Sequence, residues 1–354
     1  MSRPELALAL VGFGHVGQRF LRLLDEVADR LDFDWRLVAI ATRRHGCAVD
    51  ADGIDADRAL ATMEGRLSLE RLDHEPQQRS GIDVVRRVTD VLADEASEGR
   101  LVTIETTLLD IEQGEPATAH VRASLEGLAH VVTANKGPVA FGYRDLESLA
   151  ESVDRFFLFE GAVMDGVPVF NLVRETMPGV VVEAFRGVIN STCNYVLAEL
   201  ERGTPFDDAI AAMQAQGIAE ADPSHDVDGW DAAAKTAALA NVLLDAVITP
   251  HQVERTGIRD VTAADASEAV ASGRRIRLVA SAARHGRTIE ARVEPELLDG
   301  RDPLANLTGT ENALYLKTDL LGEIGVVQRT GSVAQTAYAL LSDVMRISRR
   351  FREL

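Results

Sequence analysis

The segment LALALVGFGHVGQ, residues 6–18, decides the fold. Its first part, Leu6 to Val11, is a continuous apolar run, which is typical of a strand buried on both faces. Three closely spaced glycines then predict a tight turn, and the amphipathic segment from Arg19 to Leu31 has helical spacing. The chain is therefore expected to begin with a strand, a glycine turn and a helix.

The alternation of strands and helices continues as far as residue 135. Further strands are expected at residues 36–42, 101–107 and 130–135, and helices at 83–96 and 115–128. Residues 45–80 have weak periodicity and are interpreted as a helical insertion with loops. Strands that alternate with helices pair in parallel and form an open sheet covered on both sides. The sequence thus predicts an α/β fold for this part of the chain.

The glycine turn has the spacing GxGxxG, with Gly12, Gly14 and Gly17 between a strand and a helix. Glycines at these positions permit a tight turn, close approach of the backbone to a pyrophosphate and close helix packing, as in a Rossmann-type dinucleotide site. The alternative is a tight turn that binds nothing. The residues expected to contact the cofactor here are Gly12, Phe13, Gly14, His15, Val16 and Gly17.

The end of the second strand indicates which dinucleotide is used. Enzymes that use NAD usually place Asp or Glu there to bind the ribose hydroxyls. This chain instead has IATRRHG, with Arg43 and Arg44 and no carboxylate. Two guanidinium groups suit a 2′-phosphate. NADP is therefore the favoured cofactor, with NAD as the alternative if these are only two of the chain's 34 arginines.

A second domain is expected after Asn135. A helix from Pro138 to about Val153 is followed by strand-like runs at 156–163 and 180–190 and by several short runs between 275 and 327. We expect residues 1–135 to form the dinucleotide domain and residues 136–328 a sheet-bearing α+β domain.

Composition limits the classes of function. The net charge of −19 argues against binding to nucleic acid or to an anionic membrane. No apolar run approaches about 18 residues, and no cleavable leader is evident, so a cytoplasmic protein is expected. Cys47 and Cys193 form no CxxC pair, which gives no support to a thiolate metal site.

Only three lysines occur, at positions 136, 235 and 317. An acidic protein with few lysines is typical of a salt-rich cytosol, in which ions screen the self-repulsion, although a G+C-rich genome gives the same bias. Asp231 and Lys235 lie four apart on a predicted helix and share one face. Lys136 follows a predicted sheet strand, at the edge where such folds bind ligands. Both lysines are thus candidates for binding an anionic substrate.

Six motifs together resemble homoserine dehydrogenases, in order and in spacing. They are GFGHVGQ, ETTLLDIEQGEPA, HVVTANKGPVA, FEGAVMDGVPVFNL, GVINSTCNYVL and GIAEADPSHDVDGWDAAAK. The resemblance covers residues 5–345. It implies NAD(P)-dependent interconversion of L-homoserine and L-aspartate 4-semialdehyde in threonine and methionine biosynthesis.

The resemblance also assigns roles to particular residues. Lys235 resembles the family's proton donor, and Lys136 resembles the second active-site lysine, which touches substrate and cofactor. Glu220 and Asp231 match acidic ligands of the substrate's ammonium and hydroxyl groups. Asp226 matches a position of the same acidic loop. The positions that would line the nicotinamide are Thr106 and Thr107.

Further features follow from the same resemblance. Residues matching a loop that holds a monovalent cation, Na⁺ or K⁺, largely through backbone carbonyls are Glu160, Val163, Asp165 and Val167. The motif VMDG replaces a glycine-richer sequence there, which leaves occupancy by the ion open. The segment from Arg329 resembles one that rejoins the cofactor domain, with Gly331 near the dinucleotide. A homodimer and the absence of a C-terminal regulatory domain of the ACT type, with little feedback by threonine, are also expected.

Two other functions remain open from the sequence. One is an NADP-linked enzyme of the same architecture acting on a related amino or oxo acid. The other is a non-catalytic NADP-binding sensor or assembly subunit, which would be expected to lose the proton donor and the substrate ligands.

Overall fold

A computed structural model of the chain describes residues 3–73, 79–215 and 222–352. The chain divides into two compact units, one of residues Met1–Gly166 with Ser332–Leu354 and one of residues Val167–Gly331. This division differs from the boundary after Asn135 that the sequence suggests. Residues 136–166 lie in the first unit because the short strand Phe157–Leu158 hydrogen-bonds to the strand that ends at Thr133.

The first unit is built from alternating strands and helices. Its strands are β1 (Glu5–Val11), β2 (Asp34–Ala41), β3 (Cys47–Val49), β4 (Leu101–Glu105), β5 (His130–Thr133) and β6 (Phe157–Leu158). Its helices are α1 (His15–Glu26), α2 (Ala56–Glu64), α3 (Gly81–Val91), α4 (Ala93–Ser97), α5 (Ala117–Glu126), α6 (Lys136–Ser152) and α13 (Val333–Arg349), the last returning from the C-terminal part of the chain.

The sheet of the first unit has the order β3-β2-β1-β4-β5-β6. All neighbouring pairs are parallel except β2 and β3, which are antiparallel. This is the Rossmann strand order, and the chain reverses its direction of progress between β1 and β4. The carboxyl ends of β1 and β4 therefore flank the crevice where such sheets bind ligands.

Both faces of this sheet are buried. In β1, Leu6, Leu8 and Leu10 belong to the core shared with α1 and α13, whereas Ala7 and Ala9 belong to the core shared with α3. Complete burial of one leucine side chain contributes about 1.5–3 kcal/mol. The apolar run at the start of the chain thus holds helices on both sides of the sheet.

Two local expectations from the sequence are wrong in detail. The strand expected over 156–163 is limited to β6 and is followed by a 3-10 turn, Glu160–Ala162. The turn forms because the Glu160 amide donates to Asp343 of α13, at 2.9 Å, instead of to a sheet neighbour. The helix expected from Pro138 begins two residues earlier, at Lys136, since the Asn135 side chain accepts a hydrogen bond from the Gly137 amide.

The second unit has a mixed, mostly antiparallel sheet of order β12-β11-β7-β9-β10-β8. Its strands are β7 (Val182–Val188), β8 (Glu254–Arg255), β9 (Arg274–His285), β10 (Thr288–Asp299), β11 (Asn312–Thr318) and β12 (Gly322–Gln328). Its helices are α7 (Val169–Thr176), α8 (Ser191–Leu200), α9 (Phe206–Ala215), α10 (Ser224–Val227), α11 (Trp230–Leu243) and α12 (Ala263–Ala271).

Helices cover one face of this second sheet. Contacts to β9 are made by α8, α11 and α12, and α11 also contacts β10. Because α8 follows directly on β7, residues at the carboxyl end of that strand lie next to the helices that carry the acidic motif. Within the described residues, none of the helices is both long enough and apolar enough to cross a bilayer.

Candidate active site

Charged side chains of the acidic motif converge on one amide group in the second unit. Asn190, which follows β7, donates from Nδ2 to Oδ1 of Asp226 at 2.7 Å and to Oδ2 of Asp231 at 2.9 Å. Lys235 pairs with Oδ2 of Asp231 at 2.9 Å and donates to the Ile189 carbonyl at 2.8 Å. The side chains of Asp231 and Lys235 are 17% and 15% exposed, so a ligand can reach them. The cluster thus holds two carboxylates and one ammonium beside one strand end.

Local backbone geometry explains this convergence. Gly229 has φ +81°, a left-handed conformation that side chains with a Cβ rarely adopt, and its amide donates to the Asp226 carbonyl at 2.8 Å. The chain therefore makes a tight turn between α10 and α11. Asp231 then lies in the first turn of α11, and Lys235 lies one turn later on the same face. The opposite face of α11 is alanine-rich and buried.

Electrostatics in the cluster are dominated by burial and by the two like charges. Burial raises the pKa of Asp226, and the neighbouring negative charge of Asp231 raises it further, whereas the Asn190 hydrogen bond opposes the shift. Burial also raises the pKa of Cys193 well above its ordinary value. The thiol of Cys193 donates to the Asp226 carbonyl at 3.2 Å. It is a buried packing group that supports the cluster and has no thiolate character.

The other carboxylates of the motif make local contacts or lie outside the described residues. Glu220, expected as a substrate ligand, falls in the part of the chain that the structure does not describe. Asp222 accepts a hydrogen bond from the Ser224 amide at 3.0 Å and is exposed. Asp228 forms an ion pair with Arg259. The last two therefore shape the loop and its surface.

The glycine turn of the first unit fits a dinucleotide. A Cβ at Gly12, where φ is +95°, would lie 2.5 Å from the Thr106 carbonyl carbon, and one at Gly17 would lie 2.8 Å from the Gly12 carbonyl oxygen. A Cβ at Gly14 meets no described atom within 4 Å, and no side chain caps the α1 N-terminus there. Amides of the first turn thus face open space, as a phosphate would require.

The residues between these glycines divide by exposure. Phe13 is buried, so only its backbone can meet a cofactor, whereas His15 is exposed and Val16 is half-buried. Arg43 and Arg44 are exposed on the loop that follows β2. Thr42 organises that loop, since its hydroxyl donates to the Gly46 carbonyl at 2.9 Å and accepts from the His45 amide at 2.9 Å.

The carboxyl ends of β4 and β5 bring together three of the residues predicted from the sequence. The Thr106 hydroxyl donates to the Gly12 carbonyl at 2.8 Å, and Thr107 follows it. Asn135 donates from Nδ2 to the Thr107 carbonyl at 3.0 Å, and its Oδ1 accepts from the Gly137 amide at 2.8 Å. Lys136, half-buried, is the first residue of α6. The glycine turn, the threonine pair and this lysine therefore belong to one edge of the sheet.

The loop expected to hold a cation has an unusual conformation at Asp165. Its φ is +48°, although the residue is not glycine, and its Oδ1 accepts from the Thr336 hydroxyl at 3.0 Å. Glu160 and Val163 are buried, and Val167 is the first residue of the second unit. Among the residues that the structure describes, no group of three or more His, Cys, Asp or Glu side chains is placed to hold a metal ion. An ion here would depend on backbone carbonyls.

Gly331 lies in the exposed segment that joins β12 to α13 and is the last residue of the second unit. Its expected proximity to the dinucleotide stays a prediction.

Two asparagines were missed as candidate residues in the sequence. Asn190 holds both carboxylates of the cluster, and Asn135 holds Thr107 and the start of α6. Each follows a strand directly and caps a helix, which is a pattern that a sequence can reveal. Neither side chain's contacts with distant residues could be deduced from that pattern.

Comparison with known proteins gives the same family for both halves of the chain. Residues 168–345 match the family model described as homoserine dehydrogenase. The chain is 35% identical to the NAD(+)-dependent homoserine dehydrogenase of Pseudomonas canavaninivorans, over 97% of this chain and 96% of that protein. It is also 35% identical to the homoserine dehydrogenase of Methanocaldococcus jannaschii, over 96% and 98% of the two chains.

Solved structures agree with this result. The crystal structure of a homoserine dehydrogenase from Thiobacillus denitrificans matches with a TM-score of 0.78 at 30% identity, covering 99% of this chain and 74% of that one. The strand order of the first unit, its glycine turn and the acidic cluster of the second unit are all consistent with the match. The chain belongs to the homoserine dehydrogenase family and is an NAD(P)-dependent oxidoreductase.

Proposed function

We propose that the cluster formed by Asn190, Asp226, Asp231 and Lys235 is the site where L-homoserine and L-aspartate 4-semialdehyde are interconverted. The single observation that carries this proposal is that the Asn190 amide holds the carboxylates of Asp226 and Asp231 and that the Lys235 ammonium pairs with the second of them. Carboxylates suit the substrate's ammonium and hydroxyl groups, and Lys235 suits its reacting oxygen. We assign Glu220 to the same substrate-binding set on the basis of its position in the motif.

Interconversion of an alcohol and an aldehyde requires a hydride carrier and a proton carrier. When bound at the glycine turn, NAD(P) would supply the hydride carrier. In the direction of reduction, Lys235 donates a proton from Nζ to the alkoxide oxygen, and in the direction of oxidation Nζ takes it back. Hydrogen bonds to Ile189 and Asp231 orient Nζ for this transfer. Asp231 and Asp226 hold the substrate in register with it.

In the first unit, we assign Lys136 as the second lysine that contacts substrate and cofactor, and Thr106 and Thr107 as residues that line the nicotinamide. The position of all three at the carboxyl edge of the parallel sheet supports this assignment. Gly331 is assigned to the same cofactor on sequence grounds.

NADP is our proposed cofactor, because the loop after β2 carries exposed Arg43 and Arg44 and no carboxylate. One relative is named as NAD(+)-dependent, so the preference needs a direct test. We further propose that a monovalent cation binds carbonyl groups of the loop containing Glu160, Val163, Asp165 and Val167. The left-handed conformation at Asp165 supports this idea, since a glycine-rich loop would bend similarly there.

A homodimer in the cytoplasm of a salt-rich cell is the proposed setting. One face of the second sheet carries a groove with exposed and half-buried side chains of both charges. Its lining includes Ala184, Arg186, Ser281, Tyr315, Lys317 and Glu323. A self-complementary surface of this kind suits a twofold interface. The net charge of −19 with only three lysines supports adaptation to salt. We expect analytical ultracentrifugation to give a particle mass equal to that of two chains.

The decisive experiment is a spectrophotometric assay of homoserine oxidation. The purified protein is supplied with L-homoserine and with NADP⁺ or NAD⁺ separately, in dilute buffer and in molar KCl. We expect reduced cofactor to form, faster with NADP⁺, and to form faster in KCl if the protein is adapted to salt. No reduced cofactor at any salt concentration would refute the proposed reaction.

A further inference from the structure

A fully buried carboxylate lies beneath the nicotinamide-side edge of the first sheet. Glu105 is the last residue of β4, and none of its surface is exposed. Its Oε1 accepts from the Thr107 amide at 3.0 Å and from the Thr107 hydroxyl. Its Oε2 accepts from the Thr133 hydroxyl at 3.0 Å. Among the described residues, the one ionisable side chain within ion-pair distance of Glu105 is His120. Its Nδ1 lies 3.7 Å from Oε1 and makes no hydrogen bond.

Asn135 fixes the direction of these hydrogen bonds. Its backbone amide donates to the Thr133 hydroxyl at 2.9 Å, and its Nδ2 approaches the Thr107 hydroxyl at 3.4 Å. Each threonine oxygen therefore accepts a hydrogen bond from Asn135 and directs its own single proton to Glu105. The Thr107 proton goes to Oε1, and the Thr133 proton is shared between Oε2 and the Glu105 backbone carbonyl, each at 3.0 Å. Both oxygens of Glu105 act as acceptors, which is the arrangement that suits an ionised carboxylate.

The same hydrogen bonds connect Glu105 to residues assigned to the cofactor and substrate. Thr107 is held directly by Glu105, and Asn135 is held through Thr107 and Thr133. Asn135 in turn caps α6, whose first residue is Lys136. Glu105 thus sets the position of Thr107 directly and that of Lys136 through Asn135, without being exposed itself.

A buried negative charge in this place has an electrostatic consequence. The oxidised nicotinamide ring carries a positive charge and the reduced ring carries none. In an interior of low dielectric constant, a fixed carboxylate stabilises a nearby cation more than it would in water. We propose that Glu105 is a positioning residue that holds Thr107 and Asn135 for cofactor binding, and that its buried charge favours the oxidised over the reduced cofactor.

This inference rests on the proposed placement of the nicotinamide beside Thr106 and Thr107, and two substitutions separate its parts. Glu105→Gln keeps the shape of the side chain. The glutamine amide oxygen can accept the hydrogen bonds from Thr107, and the glutamine NH₂ can donate to the Thr133 hydroxyl oxygen. The Thr133 hydroxyl then donates to the backbone carbonyl of residue 105, which is 3.0 Å away. Glu105→Ala removes the hydrogen bonds altogether.

The experiment measures dissociation constants of the full-length protein for NADP⁺ and NADPH, and for NAD⁺ and NADH, by fluorescence titration without substrate. For Glu105→Gln, we expect binding of the oxidised forms to weaken about fivefold and that of the reduced forms to change less than about twofold. Glu5→Gln is the matched control, because Glu5 is exposed at the opposite end of the neighbouring strand β1 and should leave the ratio unchanged.

For Glu105→Ala, we expect kcat for homoserine oxidation to fall about tenfold or more, with weaker binding of both cofactor forms. An unchanged ratio of oxidised to reduced affinity in Glu105→Gln would overturn the electrostatic role. If Glu105→Ala retains full kcat and affinity, the positioning role is overturned. If Glu105→Ala does not fold, the Glu105→Gln titration still decides the charge effect. A failure of wild-type protein to oxidise homoserine would instead refute the proposed reaction and would leave the binding ratio measurable.

Discussion

The cluster around Asn190 in the second unit and the network around Glu105 in the first unit differ in their access to water. In the second unit, Asp231 and Lys235 are 17% and 15% exposed at their side chains. In the first unit, Glu105 and Thr133 have no exposed surface. Charges that a substrate must reach are left partly hydrated, whereas a charge that acts without touching the substrate is sealed and hydrogen-bonded on both oxygens. Substitutions should therefore act mainly on turnover in the second unit and on stability or affinity in the first.

Replacement of Lys235 by alanine is expected to have the largest effect, and it tests directly whether the second unit controls turnover. If Lys235 transfers the proton, Lys235→Ala should lower kcat by about a thousandfold in protein that is still folded. The melting temperature should also fall, since the ammonium that pairs with Asp231 is lost. The measurement is a steady-state assay with a thermal melt of the same preparation. Arg301→Ala is the control, because the Arg301 side chain is 93% exposed and pairs on the surface with Asp299 at 3.0 Å. Full kcat in Lys235→Ala would remove the lysine from the proton-transfer role.

Asn190 gives a second test in the same unit, because its side chain contacts Asp226 and Asp231 but does not titrate. In Asn190→Asp, the new side chain still accepts from the Cys193 amide and caps α8, but it places a third carboxylate beside Asp226 and Asp231. We expect kcat/KM to fall about a hundredfold. The acid limb of its pH profile should also move to higher pH, since the pKa of Asp226 is already raised and rises further when a donor is replaced by a like charge.

Asn190→Ser is the matched variant for that experiment. A serine oxygen can also cap the helix, but it adds no charge. We expect a smaller loss of activity and a smaller displacement of the acid limb. If the two variants lose activity equally and share one pH profile, the effect of Asn190 is geometric and the electrostatic account is wrong.

In the first unit, burial of a titratable group should affect stability. His130 accepts from the Phe156 amide at Nδ1, at 2.8 Å, and burial first, then the charges of Arg155 and Arg350, lower its pKa to about 3. The unfolded chain binds this proton below a pH of about 6.5, and the folded protein does not. Stability is therefore complete above that pH and falls as the pH decreases toward 3. At pH 4.5 the loss from this group is about 2–3 kcal/mol.

His130→Asn tests that contribution. An asparagine Oδ1 can accept from the Phe156 amide as Nδ1 does, yet it does not titrate in this range. Urea unfolding at pH 7 and at pH 4.5 should show a smaller decrease in the free energy of unfolding for the variant than for the wild-type protein. Equal decreases in both proteins would show that His130 does not contribute to the acid sensitivity.

The sequence predicted the parts of the fold and of the site that depend on local patterns. The apolar run and glycines at residues 6–18 predict the first strand, turn and helix, and the alternation that follows predicts the parallel sheet. The spacing of Asp231 and Lys235 predicts that they share a helix face, and the structure pairs them at 2.9 Å. Each of these features is set by residues close to one another in the chain.

Features that depend on distant residues were not predictable. The antiparallel β3, the early end of β6 and the role of Asn190 arise from contacts with segments far away in sequence. Glu105 was overlooked for the same reason. A glutamate at the end of an apolar strand is expected to point to solvent, and only the fold brings Thr133, 28 residues away in sequence, to its second oxygen.

The smallest effect is expected where the side chains are most exposed, at Arg43 and Arg44. These guanidinium groups lie on the loop after β2, where water and salt weaken any contact with a phosphate. The double substitution Arg43→Ala with Arg44→Ala should therefore raise the KM for NADP⁺ only about tenfold, with kcat and the KM for NAD⁺ nearly unchanged. The effect should shrink as KCl is increased, because it depends on exposed charges, whereas the effect of Lys235→Ala should not. A double variant that loses equal affinity for both cofactors would contradict recognition of the 2′-phosphate, and a wild-type preference for NAD⁺ would exclude NADP as the natural cofactor.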